Sequence, residues 1–366
     1  MGLAERIIRM SARPYGPNPT STLITRRRRT FVNTEYGPCP PIDAEVARAL
    51  RQIEQLVPRV APDTLAQVRS IVADGIPGAP TPDFTAGGAV VVEESVVPGP
   101  AGAPDVPVVV LRPAEGSGPW PAIYNIHGGG MVAGTPRTAL DQLVAYVHEI
   151  GVVVVSVDYR LAPEHPDPAP LEDCYAGLCW LADRSADLQV DPARIMIAGI
   201  SAGGGLAAGT ALLARDRGGP ALTHQILSAP MLDDRLRTPS AQMLLREGVW
   251  DRAENEYGWT SLLGDRRGGP DVSPYSAPAR AEDLAGLPRT FIDVGSVETF
   301  RDEVIDYATR LSRAGVSVDL HVWGGGVHGF DLSVPGAAIS RAALSARDAF
   351  IRTALGSRPH NAVVTK

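Results

Sequence analysis

From residue 122 onward, short apolar runs alternate with helix-period segments. Runs over 122–126, 152–157, 195–200, 225–227, 290–294 and 316–322 read as strands, and helices are expected over 137–149, 170–185, 202–216, 301–314 and 336–354. Alternation of this kind predicts a mostly parallel sheet. Gly151-Val152-Val153-Val154-Val155-Ser156-Val157 is apolar on nearly every position, which implies burial on both faces beneath covering helices. The expected class is therefore α/β, with a mostly parallel central sheet flanked by helices. Two β-rich runs come earlier, 89–97 and 106–111, separated by Pro98-Gly99-Pro100-Ala101-Gly102-Ala103-Pro104. They read as an antiparallel hairpin.

Composition narrows the function. The 366 residues are 44% hydrophobic and 20% charged, enough to build a sizeable core in one large domain or two smaller ones. Lys plus Arg total 34 against 41 acids, a net charge of −7, which argues against broad attraction to nucleic acid or an anionic membrane. Cys39, Cys174 and Cys179 form no disulfide framework and lack metal-site spacing, so a reducing, cytoplasmic location is expected. No apolar run approaches the roughly 18 residues that a membrane span needs, so no stable membrane insertion is expected. The dense basic run Arg26 to Arg29 is followed by no hydrophobic stretch, and reads as a solvated surface rather than an export signal.

Residues 1 to about 85 are Pro-punctuated and helix-leaning, with amphipathic pieces over 42–50 and 62–73, and read as an appendage to the core. A second departure from the α/β rhythm spans 239–264, a long helical pattern carrying Trp250, Tyr257 and Trp259. In open α/β sheets the ligand crevice lies outside the carboxyl ends of the strands. An insertion there is placed to roof a pocket, and its aromatic residues suit an apolar acyl or alcohol group.

Gly199-Ile200-Ser201-Ala202-Gly203-Gly204 joins the end of one expected strand to the start of a helix. In a hinge of the form G-x-S-x-G the glycines permit a sharp turn that exposes the serine Oγ. A serine nucleophile needs a base, a group to orient that base, and donors for the oxyanion. His328, in Gly324-Gly325-Gly326-Val327-His328-Gly329-Phe330, follows the last expected strand and so lies at the same sheet edge as Ser201. The other six histidines precede the serine, fall within predicted elements, or sit in a Pro-rich loop or the tail. The orienting acid should fall between Ser201 and His328, just after the strand over 290–294, where the candidates are Asp293, Glu298, Asp302 and Glu303; Glu298, in the loop after that strand, is the best placed. His127-Gly128-Gly129-Gly130 ends the strand at 122–126, and its backbone N–H groups can approach a ligand unobstructed. Gly128 and Gly129, with the N–H of Ala202, are the expected oxyanion donors.

Four motifs taken together, His127-Gly128-Gly129-Gly130, Asp158-Tyr159-Arg160-Leu161-Ala162-Pro163-Glu164, Gly199 to Gly204, and His328-Gly329-Phe330, resemble the hormone-sensitive-lipase-like branch of α/β-hydrolases, including the bacterial family IV esterases. The resemblance spans about residues 85 to 355. It implies an α/β-hydrolase fold with a helical cap, Ser201 as nucleophile, His328 as base, and Gly128, Gly129 and Ala202 as oxyanion donors. Where the family usually has Asp-Pro-Leu-Arg-Asp-Glu, with the first Asp in the triad, this chain reads Glu298-Thr299-Phe300-Arg301-Asp302-Glu303. Ile200 also stands where Asp or Thr is common. The resemblance makes the Asp158 to Glu164 carboxylates structural. It implies an N-terminal segment over 1–85 contributing to the cap, a catalytic core over 86–238 and 265–356, a cap insertion over 239–264 and a flexible tail over 357–366. The implied activity is serine-dependent hydrolysis of short- to medium-chain carboxylic esters, with no cofactor and no metal. Amide, lactone or carbamate hydrolysis, and a non-catalytic small-molecule-binding role, are the alternatives. The implied partner is a small-molecule ester rather than nucleic acid, and the last strands allow a homodimer.

Overall fold

The computed structural model describes residues 39–53, 56–75, 81–244 and 248–356; the basic run Arg26 to Arg29 and the tail from 357 lie outside them. The strands are β1 (Val90–Val97), β2 (Val106–Pro113), β3 (Trp120–Ile126), β4 (Val153–Val157), β5 (Val190–Ile200), β6 (His224–Ser228), β7 (Arg289–Gly295) and β8 (Val318–Trp323). They form one sheet in the order β1-β2-β4-β3-β5-β6-β7-β8. The expected hairpin is present, with Val97 opposite Val106 and Val90 opposite Pro113. β2 also runs antiparallel to β4, and every pair from β4 to β8 is parallel.

Side-chain alternation divides the apolar strands between two cores. From β3 and β4, Ala122, Tyr124, Ile126, Val153, Val155 and Val157 enter one core. Ile123 and Val154 enter the other. The first face is covered by α4 (Ala169–Asp183), α5 (Ala202–Asp216) and α8 (Arg301–Arg313), and the second by α3 (Asp141–Tyr146) and α10 (Ala338–Leu355). All five β4 residues are buried, and enclosing each valine contributes about 1.5–3 kcal/mol relative to exposure.

Three expectations need correction. The helix read over 137–149 is α-helical only from Asp141 to Tyr146 and continues as a π turn, Val147–Gly151. The pattern over 239–264 is two helices, α6 (Pro239–Met243) and α7 (Arg252–Leu263). The break is chemical: Asp251 accepts from Ala253 and Glu254 N–H at 2.8 and 3.1 Å, and Glu254 Oε2 accepts from Asp251 N–H at 3.1 Å. This capping box starts a new helix.

The third correction concerns the N-terminal segment, which is more than an appendage. Val46 and Leu50 of α1 (Ala44–Ile53) pack in a cluster with Val297, Val327 and Phe330. Val297 and Val327 lie in the loops that carry Glu298 and His328, and Phe330 opens the short helix α9 (Phe330–Ser333) that follows His328. Leu65 of α2 (Leu65–Asp74) joins the main core. From the same helix Arg69 donates to Val132 O at 2.7 Å and Ala162 O at 3.0 Å, and pairs with Glu164 at 2.7 and 2.8 Å. The hydrogen-bonded pair with Arg69, together with its own backbone N–H, holds the Glu164 carboxyl down at about 2.

Candidate active site

Ser201 sits between the last residue of β5 and the first of α5, at φ 58 and ψ −123. A non-glycine residue there stores strain of roughly 1–3 kcal/mol, and the surroundings impose it. Ser201 N–H donates to Ser228 O at 2.8 Å, and its carbonyl accepts from Met231 and Gly205 N–H at 3.0 and 3.1 Å. Close backbone approach explains the flanking glycines. A Cβ on Gly199 would lie 2.1 Å from Gly203 O, and one on Gly203 would lie 2.1 Å from Ile126 O.

His328 reaches the serine from the loop after β8. Its Nε2 lies 2.9 Å from Ser201 Oγ, and its Nδ1 lies 2.5 Å from Glu298 Oε1. An ionised carboxylate only accepts, so Nδ1 carries the proton and Nε2 is free to accept from the serine. Glu298 Oε2 accepts from Gly295 N–H at 3.1 Å, which holds the carboxylate in place. Ser201, Glu298 and His328 are 6%, 1% and 9% exposed. Phe300 packs edge-on to the imidazole with ring centroids 5.3 Å apart.

The other candidate acids are engaged elsewhere. Asp302 accepts from Ser240 N–H at 2.7 Å and from Arg301 Nε at 2.7 Å. Asp293 accepts from Trp323 Nε1 and Arg347 Nη2, both at 3.1 Å. Glu303 accepts from the N–H groups of Leu232 and Asp233 at 2.8 and 3.2 Å, and burial pushes its carboxyl well above the usual range. Of the four, Glu298 meets His328.

Gly128 abuts the serine turn: a Cβ there would lie 3.0 Å from Ile200 O and 3.3 Å from Ser201 Cβ. Among the described hydrogen bonds, the N–H groups of Gly128 and Gly129 have no acceptor within the protein. The loop is braced from behind. His127 stacks on Tyr159 at 4.2 Å, its Nδ1–H donates to Gly128 O at 2.8 Å, and Tyr159 OH donates to His127 O at 3.0 Å. Met131 O accepts from Ala162 N–H at 2.9 Å. Arg160 makes a forked pair with buried Asp173 of α4 at 2.8 and 2.7 Å, so the run from Asp158 to Glu164 ties the glycine loop to α4 and, through Glu164, to α2.

Burial pushes the His127 imidazole down to about 4. The folded state thus resists a proton that the unfolded chain accepts, and this contribution to stability is lost as pH falls from about 6.5 through about 4. NMR titration of the His127 ring should give a midpoint near 4. A midpoint near the unperturbed value of about 6.5 would contradict the neutral, Nδ1-protonated ring.

Sequence reasoning missed the contact of α1 with the acid and histidine loops, and the seat of Trp250. The Trp250 ring lies against Gly130, with its centroid 6.4 Å from that of His328; it and the fully buried Trp259 both belong to the main core cluster. Among the described residues no group of three His, Cys, Asp or Glu side chains is disposed to hold a metal ion. None of the described helices is long and apolar enough to cross a membrane.

Comparison with known proteins is consistent with this geometry. A family profile described as the α/β hydrolase fold matches residues 123–332. The chain is 40% identical over 258 residues to the carboxylesterase NlhH of Mycobacterium tuberculosis, covering 68% of this chain and 78% of that protein. It is 37% identical over 246 residues to the carboxylic ester hydrolase LipN of the same species, covering 65% and 64%. Among solved structures, a bacterial heroin esterase superposes with a TM-score of 0.79 at 38% identity, covering 86% of this chain and 98% of that one. With its family profile, its relatives and its sheet order in agreement, this chain belongs to the α/β-hydrolase-fold family, in its hormone-sensitive-lipase-like branch.

Proposed function

We propose that this ester-hydrolysing enzyme cleaves short- to medium-chain acyl esters through a Ser201-His328-Glu298 triad and an acyl-enzyme. The observation that carries the reading is the buried relay from Ser201 Oγ to His328 Nε2 at 2.9 Å and from His328 Nδ1 to Glu298 at 2.5 Å. His328 takes the proton of Ser201 as Oγ attacks the ester carbonyl, and Glu298 stabilises the imidazolium that forms. Negative charge on the carbonyl oxygen is met by the N–H groups of Gly128, Gly129 and Ala202. Each donor contributes on the order of 3 kcal/mol to the transition state. Collapse breaks the ester C–O bond, and the alcohol leaves with the proton from His328. His328 then deprotonates a water molecule whose oxygen attacks the acyl carbon; the bond to Ser201 Oγ breaks, Oγ takes the proton back from His328, and the acid is released.

In this reading residues 86–238 and 265–356 form the catalytic core, and 1–85 with 239–264 form the cap. The contacts of Arg59 Nη1 and Val60 N–H with Glu254 at 3.0 and 2.9 Å support joining those two segments. β8 is a sheet edge, and its Leu320 and Val322 are exposed, which supports the homodimer that the resemblance allows. The test is an ester series of increasing acyl length on one phenol, beside the matching anilide. Rapid hydrolysis of the short and medium esters, far above the anilide, is expected. Preferential cleavage of the anilide would overturn the ester assignment.

A further inference from the structure

The segment that introduces α7 places an aromatic ring at the catalytic centre. A Cβ added to Gly130 would lie 2.1 Å from the Trp250 ring edge, so the indole occupies the space that the glycine leaves beside the oxyanion loop. The ring is tilted by 43° to His328 with centroids 6.4 Å apart, and Trp250 is 6% exposed. α7 itself comes close: a Cβ on Gly258 would lie 2.8 Å from Gly130 O and 3.3 Å from Trp250.

The indole is also held from behind. The next residue, Asp251, opens the capping box of α7, and Arg59 Nη1 lies 3.3 Å from Asp251 and 3.0 Å from Glu254. Trp250 is thus a rigid wall, anchored through the N-terminal segment rather than a side chain on a free loop. Its position also selects one part of the substrate. The leaving alcohol collects its proton from His328 Nε2, so the alcohol group stands on the histidine side of the serine, the side on which the indole approaches the imidazole.

The geometry points to Trp250 as the residue that limits the size of the alcohol portion of the ester. This rests on the proposed serine-esterase reading, and the experiment separates the two. Wild type, Trp250→Ala and Trp250→Phe are assayed on two acetates that differ only in the alcohol, ethyl and 1-naphthyl, and on 4-nitrophenyl esters of acetate, butyrate and octanoate. Comparing ratios of kcat/KM between variants cancels the intrinsic reactivity of each ester.

Trp250→Ala is expected to raise the naphthyl-to-ethyl ratio at least about tenfold, the scale on which a pocket discriminates by bulk. Trp250→Phe gives a smaller rise in the same direction and decides the matter if the alanine variant does not fold. An unchanged alcohol ratio, with or without a change along the acyl series, overturns the Trp250 assignment while the wild type still hydrolyses acetates. Absence of hydrolysis of every ester by the wild type overturns the esterase reading itself.

Discussion

Ser201→Ala is expected to lower turnover by roughly 10⁴- to 10⁶-fold, the range seen when a member of a serine triad is removed, and to leave the fold intact. The Oγ contacts His328 and is otherwise unengaged among the described hydrogen bonds. Alanine inherits the same φ of 58 and ψ of −123, so the substitution neither relieves nor adds backbone strain. Ser201→Gly should be as inactive yet more stable by about 1 kcal/mol, because glycine adopts this conformation without the Cβ penalty. Chemical denaturation of the three proteins, measured beside ester turnover, checks both halves. Near-wild-type turnover in either variant would remove Ser201 from the mechanism.

Glu298→Ala and Asp302→Ala should behave differently although both remove a carboxylate from one short stretch of chain. Without Glu298 the Nδ1–H of His328 loses its acceptor, and with it the tautomer and orientation that present Nε2 to the serine. A loss on the order of 10⁴-fold in kcat is expected. Asp302 lies away from the relay. Burial raises its carboxyl, but Arg301 and Ser240 outweigh that and hold it below the usual range. Its contribution is therefore present above the unfolded carboxylate pKa of about 3.9 and is lost as pH falls below it. Asp302→Ala should cost about 1–3 kcal/mol of stability at neutral pH, since Ser240 N–H loses its acceptor, with kcat changed only a few-fold. The reverse ranking would move the triad acid to Asp302.

The relay was legible in part because its members announce themselves locally. Ser201 lies at a strand-to-helix junction flanked by glycines, and His328 lies just past the last strand, so the sheet order alone brings them to one edge. The acid was harder to read. Four carboxylates lie within a short stretch, and their separation depends on which turn faces the histidine, a matter of loop geometry rather than residue type. Asp302 and Glu303 are drawn off by partners near Ser240 and Leu232, more than 60 positions away in the chain. A far longer separation in sequence hides the contacts of the N-terminal helices. The periodicity of 42–50 marks an amphipathic helix, but nothing in it indicates that Val46 and Leu50 pack against the loops of Glu298 and His328. The division of the insertion into α6 and α7 was readable, since Asp251-Arg252-Ala253-Glu254 carries the capping-box spacing. The seat of Trp250 was not, because it depends on the missing side chain of Gly130.

The most direct test of the central claim is reaction with a fluorophosphonate, followed by proteolysis and mass spectrometry of the adduct. A single phosphonyl group on Ser201 of the wild-type enzyme is expected, formed as ester turnover disappears, with no adduct in Ser201→Ala. Inactivation with the adduct on another residue, or hydrolysis persisting with Ser201 fully labelled, would contradict it.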